Sequence, residues 1–444
     1  MPSRWAVISA NDEPGYLYYA PIVTWQWRRL GYEVLLLYHG RHPRSHPALA
    51  TTAEVGGRIV DLPPGPGSDS SATYCQVSRL LAATLTDLIQ PDDMLTTSDV
   101  DMLVFREPPA TEGAITCWGH DLTGHRHYPI CYVSALARDW LDLFGLGAGD
   151  TMTTAMERFL SRWPGYFGPP ETRWTIDQEA LTSCIDDWRR GGRAYVGQDR
   201  GLEPGSFLAL GRLDRYAWTY PAGPIIDCHL PREGNGQESH DRVREVYARL
   251  GLADEAAWMS NYRRKFQAAD LPRRFAEFDN WCNHRPLLYL ALEATQGDVL
   301  ELGVGSGSTE ILVDYCRDRG RRLRSFEYKR EWWEQYRHIA PEVRHVENWD
   351  DIHPVQAGVA LIDHSPGERR HEDIILMAST VDVIVIHDSE PAATGYMLDR
   401  VWHLFRYRCD LKSPGAWATA VSNTIDVSQW DVSRFAPRAG AVGP

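Results

Sequence analysis

Strand-length apolar runs alternate with longer helical stretches along most of this chain. Trp5–Ser9, Glu33–Tyr38, Gly57–Leu62 and Met94–Thr97 read as strands, with helices predicted over Tyr18–Leu30 and Tyr74–Ile89. This rhythm predicts βαβ units, hence a mostly parallel sheet with helices on both faces. Pro63-Pro-Gly-Pro-Gly-Ser-Asp-Ser-Ser71 is a loop by composition. From about Gln237 to Trp281 the pattern turns charged and helical, including Arg242–Leu250 and Asn261–Phe278. A second alternating series starts near Asn280 and runs to about Val427, followed by a tail with nothing to bury. The expected fold class is therefore α/β, with two Rossmann-like α/β/α lobes joined by a helical connector. The expected boundaries are 1–236, 237–279 for the connector, 280–430 for the second lobe and 431–444 for a disordered tail.

The most specific chemistry lies in the second lobe. Gly297-Asp-Val-Leu-Glu301-Leu-Gly303-Val-Gly305-Ser-Gly307-Ser-Thr309 is an apolar strand that ends in a tight glycine loop and opens into a helix. Its Gly-x-Gly-x-Gly spacing differs from the Gly-x-Gly-x-x-Gly of dinucleotide-binding turns. About twenty residues on, the strand Arg322–Phe326 ends in Glu327, placed to accept hydrogen bonds from a ribose diol. Loop, acid and spacing together resemble the first motif and following acidic strand end of class I S-adenosylmethionine-dependent methyltransferases. The resemblance implies S-adenosyl-L-methionine as cofactor, bound by Glu301, Gly303, Gly305, Gly307 and Glu327.

Two further apolar strands end in acids: Val359-Ala-Leu-Ile-Asp363-His364, and Val381–Ile386 before His387-Asp388-Ser389-Glu390. Ligands of doubly wound sheets bind beyond the carboxyl ends of the strands, so Asp363 and Asp388 fall beside the expected methyl donor. Two carboxylates there can chelate Mg²⁺. From about 280 to 427 the lobe resembles the metal-dependent, catechol O-methyltransferase type of enzyme, which implies Asp363 and Asp388 as metal ligands. Two positions depart from that family's pattern. Pro366 stands where the family has a lysine base, and Ser389, with Glu390 next, replaces an amide ligand. His364 and His387 are then the candidates for proton removal. In the alternative reading Asp363 and Asp388 are only N-caps of the following helices. His284-Arg285 is either a surface pair or a reach toward the methionine carboxylate.

In the first lobe the Met94–Thr97 strand is followed by Asp99-Val100-Asp101. In β geometry residues i and i+2 share a face, so both carboxylates can converge on one cation bridging a diphosphate. Trp174-Thr-Ile-Asp177-Gln178 precedes a helix, and Pro224–Leu230 is a strand carrying Asp227 and His229. Over roughly 1–235 these elements resemble GT-A glycosyltransferases. That implies Asp99, Asp101 and His229 around Mn²⁺ or Mg²⁺, Asn11 at the nucleotide, and Asp177 at the acceptor. The alternative is structural, with Asp99 capping a turn, Asp177 an N-cap and His229 a satisfied interior histidine.

Composition narrows the classes. The chain has 444 residues, 43% hydrophobic and 24% charged, and a formal net charge of −14. It shows no Lys/Arg stripe, which argues against a nucleic-acid binder. The apolar runs around Val34–Leu37 and Val383–Ile386 are far short of a membrane span. The eight cysteines are scattered without a Cys-x-x-Cys pair, and the first residues lack a signal peptide's apolar segment; both lead to the expectation of a reducing, cytoplasmic compartment. Seventeen tryptophans and twenty tyrosines suit carbohydrate rings. The expected function is bifunctional: sugar transfer from a UDP- or GDP-sugar, plus O-methylation of a hydroxyl on a glycan or glycosylated small molecule. The alternative is a methyltransferase carrying a non-catalytic, glycan-binding first lobe.

Overall fold

The apolar runs pair into three sheets in the computed structural model. The structure describes residues 2–63, 71–125, 127–147, 149–163, 175–203, 209–232, 234, 236–276, 278–279, 281–339, 343–352, 355–390, 395–413, 415–433 and 435. Most of the proline-rich loop, Trp174 and the residues from 436 on lie outside these. The chain divides into two compact units, Met1–Phe266 and Gln267–Pro444.

The strands of the first unit are Arg4–Asn11 (β1), Glu33–His39 (β2), Gly57–Asp61 (β3), Met94–Thr97 (β4), Met102–Val104 (β5), Ile115–Trp118 (β6), Val133–Leu136 (β7), Tyr195–Gln198 (β8), Arg212–Leu213 (β9) and Asp227–His229 (β10). Seven form a sheet of order β3-β2-β1-β4-β7-β6-β8. The four from β3 to β4 run parallel, and β7 is antiparallel to both its neighbours. A small second sheet, β5-β10-β9, places His229 opposite Met102, beside Asp101.

Two expected helices are shorter than their hydrophobic patterns. Tyr18–Leu30 becomes a turn at Pro14–Leu17 and a helix over Ala20–Arg29, started by Pro21 in its first turn. Tyr74–Ile89 becomes a helix over Ser71–Ser78 that tightens to 3₁₀ over Arg79–Thr84. The region expected as a connector forms helices over Gln237–Arg249 and Ala253–Ala276. Val243, Val246, Tyr247, Met259, Tyr262 and Phe266 from these helices belong to the core of the first unit. The division between the units falls within the second helix.

The second unit contains Val299–Leu302 (β11), Leu323–Glu327 (β12), Val343–His345 (β13), Ala357–Ile362 (β14), Val381–His387 (β15), Tyr407–Ser413 (β16) and Ala416–Ser422 (β17). Their order is β13-β12-β11-β14-β15-β17-β16. The first five are parallel, and β17 is antiparallel to β15 and β16. Successive side chains along each strand enter opposite cores. Val299, Leu361, Val383 and Val385 join the helices Arg285–Ala294 and Thr309–Arg319, whereas Leu300, Leu302, Ile362 and Ile384 pack with Trp349, Ile374 and Met377. This double burial explains the unbroken apolar strands. Both units are Rossmann-like α/β folds, as the hydrophobic pattern predicts. The eight cysteines are buried and free. Among the described residues, no helix is long and apolar enough to cross a membrane.

Candidate functional site

Each unit carries a polar cluster at the carboxyl ends of its parallel strands. In the first, a cleft is lined by residues that include Asn11, Asp99, Asp101, Asp177, Arg215 and His229. All the residues expected there from sequence are thus brought together, but their carboxylates are already partnered. Arg79, fully buried, pairs with Asp99, donates from Nη1 to Ser98 O at 2.8 Å, and reaches Asp177 Oδ2 at 2.8 Å from Nη2. Arg215 pairs with Asp101 and also touches His229 Nε2. The other ring nitrogen of His229 lies 3.1 Å from Asp214 Oδ2, and Nε2 is 3.9 Å from Asp101 Oδ2.

Burial pushes the Asp177 carboxyl up to about 6, against the pull of Arg79. Its Oδ1 accepts the Gln178 N–H at 2.8 Å. The Cys131 thiol donates to Asp99 Oδ2 at 3.0 Å. Beneath His229, the wholly buried Asp227 is held by Arg200 at 2.6 Å and Arg212 at 2.8 Å. Burial opposes its charge, but the two guanidinium groups win and keep it well below the ordinary carboxylate range. None of these four arginines was singled out from the sequence; Arg79 lies 98 residues from Asp177 and Arg215 lies 114 from Asp101.

The glycine loop of the second unit is built by its two glutamates. Glu301, with no exposed surface, accepts hydrogen bonds from Ser308 Oγ at 2.6 Å, Thr309 Oγ1 at 3.0 Å and Ser325 Oγ at 2.6 Å. It therefore ties the loop to the next helix and to β12. Glu327 accepts from the backbone N–H of Val304 at 2.9 Å and Lys329 at 2.7 Å. A carboxylate has about four lone-pair sites, so capacity remains for a diol. Gly303 has φ 90°, and a Cβ there would lie 2.5 Å from the Asp363 carbonyl oxygen. Only glycine meets both conditions. The Arg285 guanidinium donates to Gly307 O at 2.7 Å and Ser306 O at 3.0 Å, bracing the loop.

Beyond the loop, β14 and β15 deliver Asp363, His387 and Asp388. His387 Nδ1 is 3.1 Å from Asp363 Oδ1, and Nε2 is 3.6 Å from Asp388 Oδ1. Burial disfavours the His387 cation, but the bond to Asp363 outweighs it and holds the imidazole above its ordinary value. The backbone of Asp388 is left-handed, φ 54°. The buried Arg370 laces these strand ends together, donating to His364 O at 2.9 Å, His387 O at 2.9 Å and Asp363 Oδ1 at 3.1 Å. Its Nη1 lies 3.8 Å from Asp388 Oδ2.

His364 occupies a different environment. Its ring is enclosed, with Nε2 3.0 Å from Asp373 Oδ2 and its centroid 4.3 Å from that of Trp349. An imidazole shut in this way cannot reach a substrate hydroxyl, so of the two expected histidines only His387 lies against Asp363 and Asp388. Ser389 is also turned inward, its hydroxyl 2.7 Å from Thr419 Oγ1.

The two expected cation sites differ in how well their residues fit an ion. In the first unit Asp99 is directed to Arg79, while Asp101 and His229 share Arg215. In the second, the guanidinium of Arg370 faces both Asp363 and Asp388. Among the described residues, the group of three ligand atoms lying within 4.8 Å of one another comes from His284, Asp363 and His387. His284, from the turn before the Arg285–Ala294 helix, was weighed from sequence with Arg285 as a surface pair or a reach toward the methionine carboxylate; its ring is fully buried, so it is not part of a surface pair.

No protein-family model and no curated protein matches this chain. Among solved structures, the galactosyltransferase LgtC with donor and acceptor sugar analogs is 11% identical, with a TM-score of 0.33, over 57% of this chain and 95% of its own. The glycosyltransferase GlyE of Streptococcus pneumoniae TIGR4 is 12% identical, TM-score 0.33, over 84% and 89%. Cofactor-bound Rv0187 from MTB is 17% identical, TM-score 0.26, over 33% of this chain and 82% of its own. At these values the likeness bears on neither substrate nor activity.

Proposed function

We propose that this protein is a bifunctional transferase that modifies a glycan. The second unit binds S-adenosyl-L-methionine and methylates a carbohydrate hydroxyl; the first transfers a sugar from a UDP- or GDP-sugar. The observation that carries the reading is the Gly303–Thr309 loop, organised by Glu301 and Glu327 and facing the Asp363–His387–Asp388 rim. Gly305 and Gly307 offer backbone to the methionine portion, and Glu327 offers its carboxylate to the ribose hydroxyls. The cofactor supplies an electrophilic methyl group on a sulfonium. The rim supplies what the acceptor needs: carboxylates to orient a hydroxyl and groups to take its proton as the oxygen–methyl bond forms.

In the first unit, Asn11 lies at the end of β1, where the nucleotide would sit, and Asp177 lies where an acceptor hydroxyl would approach. We route no step there through a metal ion, because Arg79 and Arg215 already meet the carboxylates expected to hold one. The same pairing favours a second reading, in which the first unit holds a glycan without turning it over.

Calorimetric titration with S-adenosylhomocysteine, and with UDP- and GDP-sugars in the presence of Mn²⁺, on wild type and Asp99→Ala/Asp101→Ala separates the readings. Both ligands binding to wild type, with the nucleotide-sugar lost in the variant, supports the bifunctional enzyme. S-adenosylhomocysteine binding alone supports the second reading. Absence of S-adenosylhomocysteine binding refutes both.

A further inference from the structure

We infer that His284, Asp363 and His387 form a site for a divalent transition metal, of the Zn²⁺, Fe²⁺ or Co²⁺ kind, and not for Mg²⁺. The three side chains come from separate elements: the turn before the Arg285–Ala294 helix and the ends of the adjacent strands β14 and β15. Each offers one ligand atom within 4.8 Å of the other two. His284 is 0% exposed, and neither ring nitrogen meets hydrogen-bond geometry with a partner among the described residues, although the Gly307 backbone lies close enough to favour the charged ring. A buried imidazole with both nitrogens unpaired is costly, and such orphans call for an explanation. A cation shared with His387, whose ring centroid is 4.8 Å away at 74°, supplies one.

The donor set decides the metal class. Two imidazoles and one carboxylate suit Zn²⁺, Fe²⁺ and their neighbours, whereas Mg²⁺ takes oxygen ligands in an octahedron. The two-aspartate pair expected from the sequence is oxygen-only. Here Asp388 faces Arg370 and His387 instead of completing that pair. Arg370 plays the outer role common around metal ligands, since it fixes Asp363 through Oδ1, the oxygen that also meets His387 Nδ1, and no partner of Oδ2 lies among the described residues. Access is from the side of Asp363 and Asp388, whose side chains are 27% and 30% exposed. Three protein ligands leave a position open for water or a substrate oxygen. The site's use in methyl transfer rests on the reading above; its binding of metal does not.

The test uses the full chain carrying Asp99→Ala/Asp101→Ala, to silence the first unit, stripped with chelator and titrated with Zn²⁺ and Co²⁺ alone. One metal ion per chain is expected, with affinity falling 100-fold or more in His284→Gln and His387→Asn, and by less than threefold in Asp388→Asn. Millimolar Mg²⁺ should not compete. Zinc-edge X-ray absorption on the chain with all three ligands intact should show two imidazole nitrogens, a readout that needs no variant at the site to fold. Undiminished zinc binding in His284→Gln, equal losses in Asp388→Asn, or a shell of oxygens alone overturns the inference. No zinc binding with intact S-adenosylhomocysteine binding rejects the metal site and leaves the methyltransferase reading standing. Zinc binding without S-adenosylhomocysteine binding does the reverse.

Discussion

Replacing Glu301 by Gln should make the protein more stable above neutral pH and leave it nearly unchanged in acid. Glu301 is fully buried; burial pushes its carboxyl from 4.5 up to about 7, although three hydroxyl donors favour the charge. Between these two values the native state binds more protons than the unfolded chain, so wild-type stability falls as pH rises from 4.5 through 7. The shift corresponds to roughly 3 kcal/mol lost by pH 8. Gln keeps the shape and cannot ionise. Its carbonyl oxygen can accept from Ser308 and Thr309, and its amide can donate to the Ser325 hydroxyl, which rotates to accept. The difference between Glu301→Gln and wild type should therefore move in favour of the variant by about 3 kcal/mol from pH 4.5 to pH 8. Urea unfolding read by hydrogen exchange in peptides covering Val299–Glu327 reports this region without assuming that the two units unfold together. An identical difference at both pH values would refute the reasoning and mean that the hydroxyls fully offset the burial.

Arg79→Leu should destabilise the first unit by about 3–5 kcal/mol, because it leaves Asp99 and the buried Asp177 without their cation. Exchange protection in β1 and β4 measures this, and an effect under about 1 kcal/mol would contradict the ion-pair assignment. Gly303→Ala should abolish S-adenosylhomocysteine binding and cost at least about 1–3 kcal/mol, from the left-handed backbone and the clash with Asp363 O; calorimetry checks the first, urea unfolding the second. Asp227→Asn should be severely destabilising at pH 7 and less so in acid. The depressed carboxyl of wild type contributes stability above the unfolded value, and that contribution is lost as pH falls through the native one. A pH-independent loss would locate the damage in packing instead.

The glycine loop and the strand-end acids were readable in the sequence because their logic is local. An unbroken apolar run, a Gly-x-Gly-x-Gly and an acid at the end of a strand each occupy a dozen residues or fewer, and a doubly wound sheet brings its strand ends to one edge. Charge compensation is not local. Arg79 meets Asp177 across 98 positions and Arg215 meets Asp101 across 114. An exposed arginine and one that fills a carboxylate pair look alike in a one-dimensional pattern. His364 shows a related limit. It follows the end of β14, yet its ring turns to Asp373, nine residues on, and packs against Trp349. Arg79 also marks where the expected single helix over Tyr74–Ile89 tightens to 3₁₀. The antiparallel strands β7 and β17 were not foreseen, since an apolar run carries no mark of direction.

The left-handed backbone at Asp388 separates two demands that substitution tables usually merge. In a saturation library at this position scored for soluble accumulation, Asn and Gly should rank above Glu, Val and Ile, because tolerance of positive φ sets that order. Scored for turnover, the same library should rank by what the side chain can do to a proton, and Gly should fall to the bottom. The gap between the two rankings measures how much of this aspartate is owed to the shape of the turn and how much to chemistry.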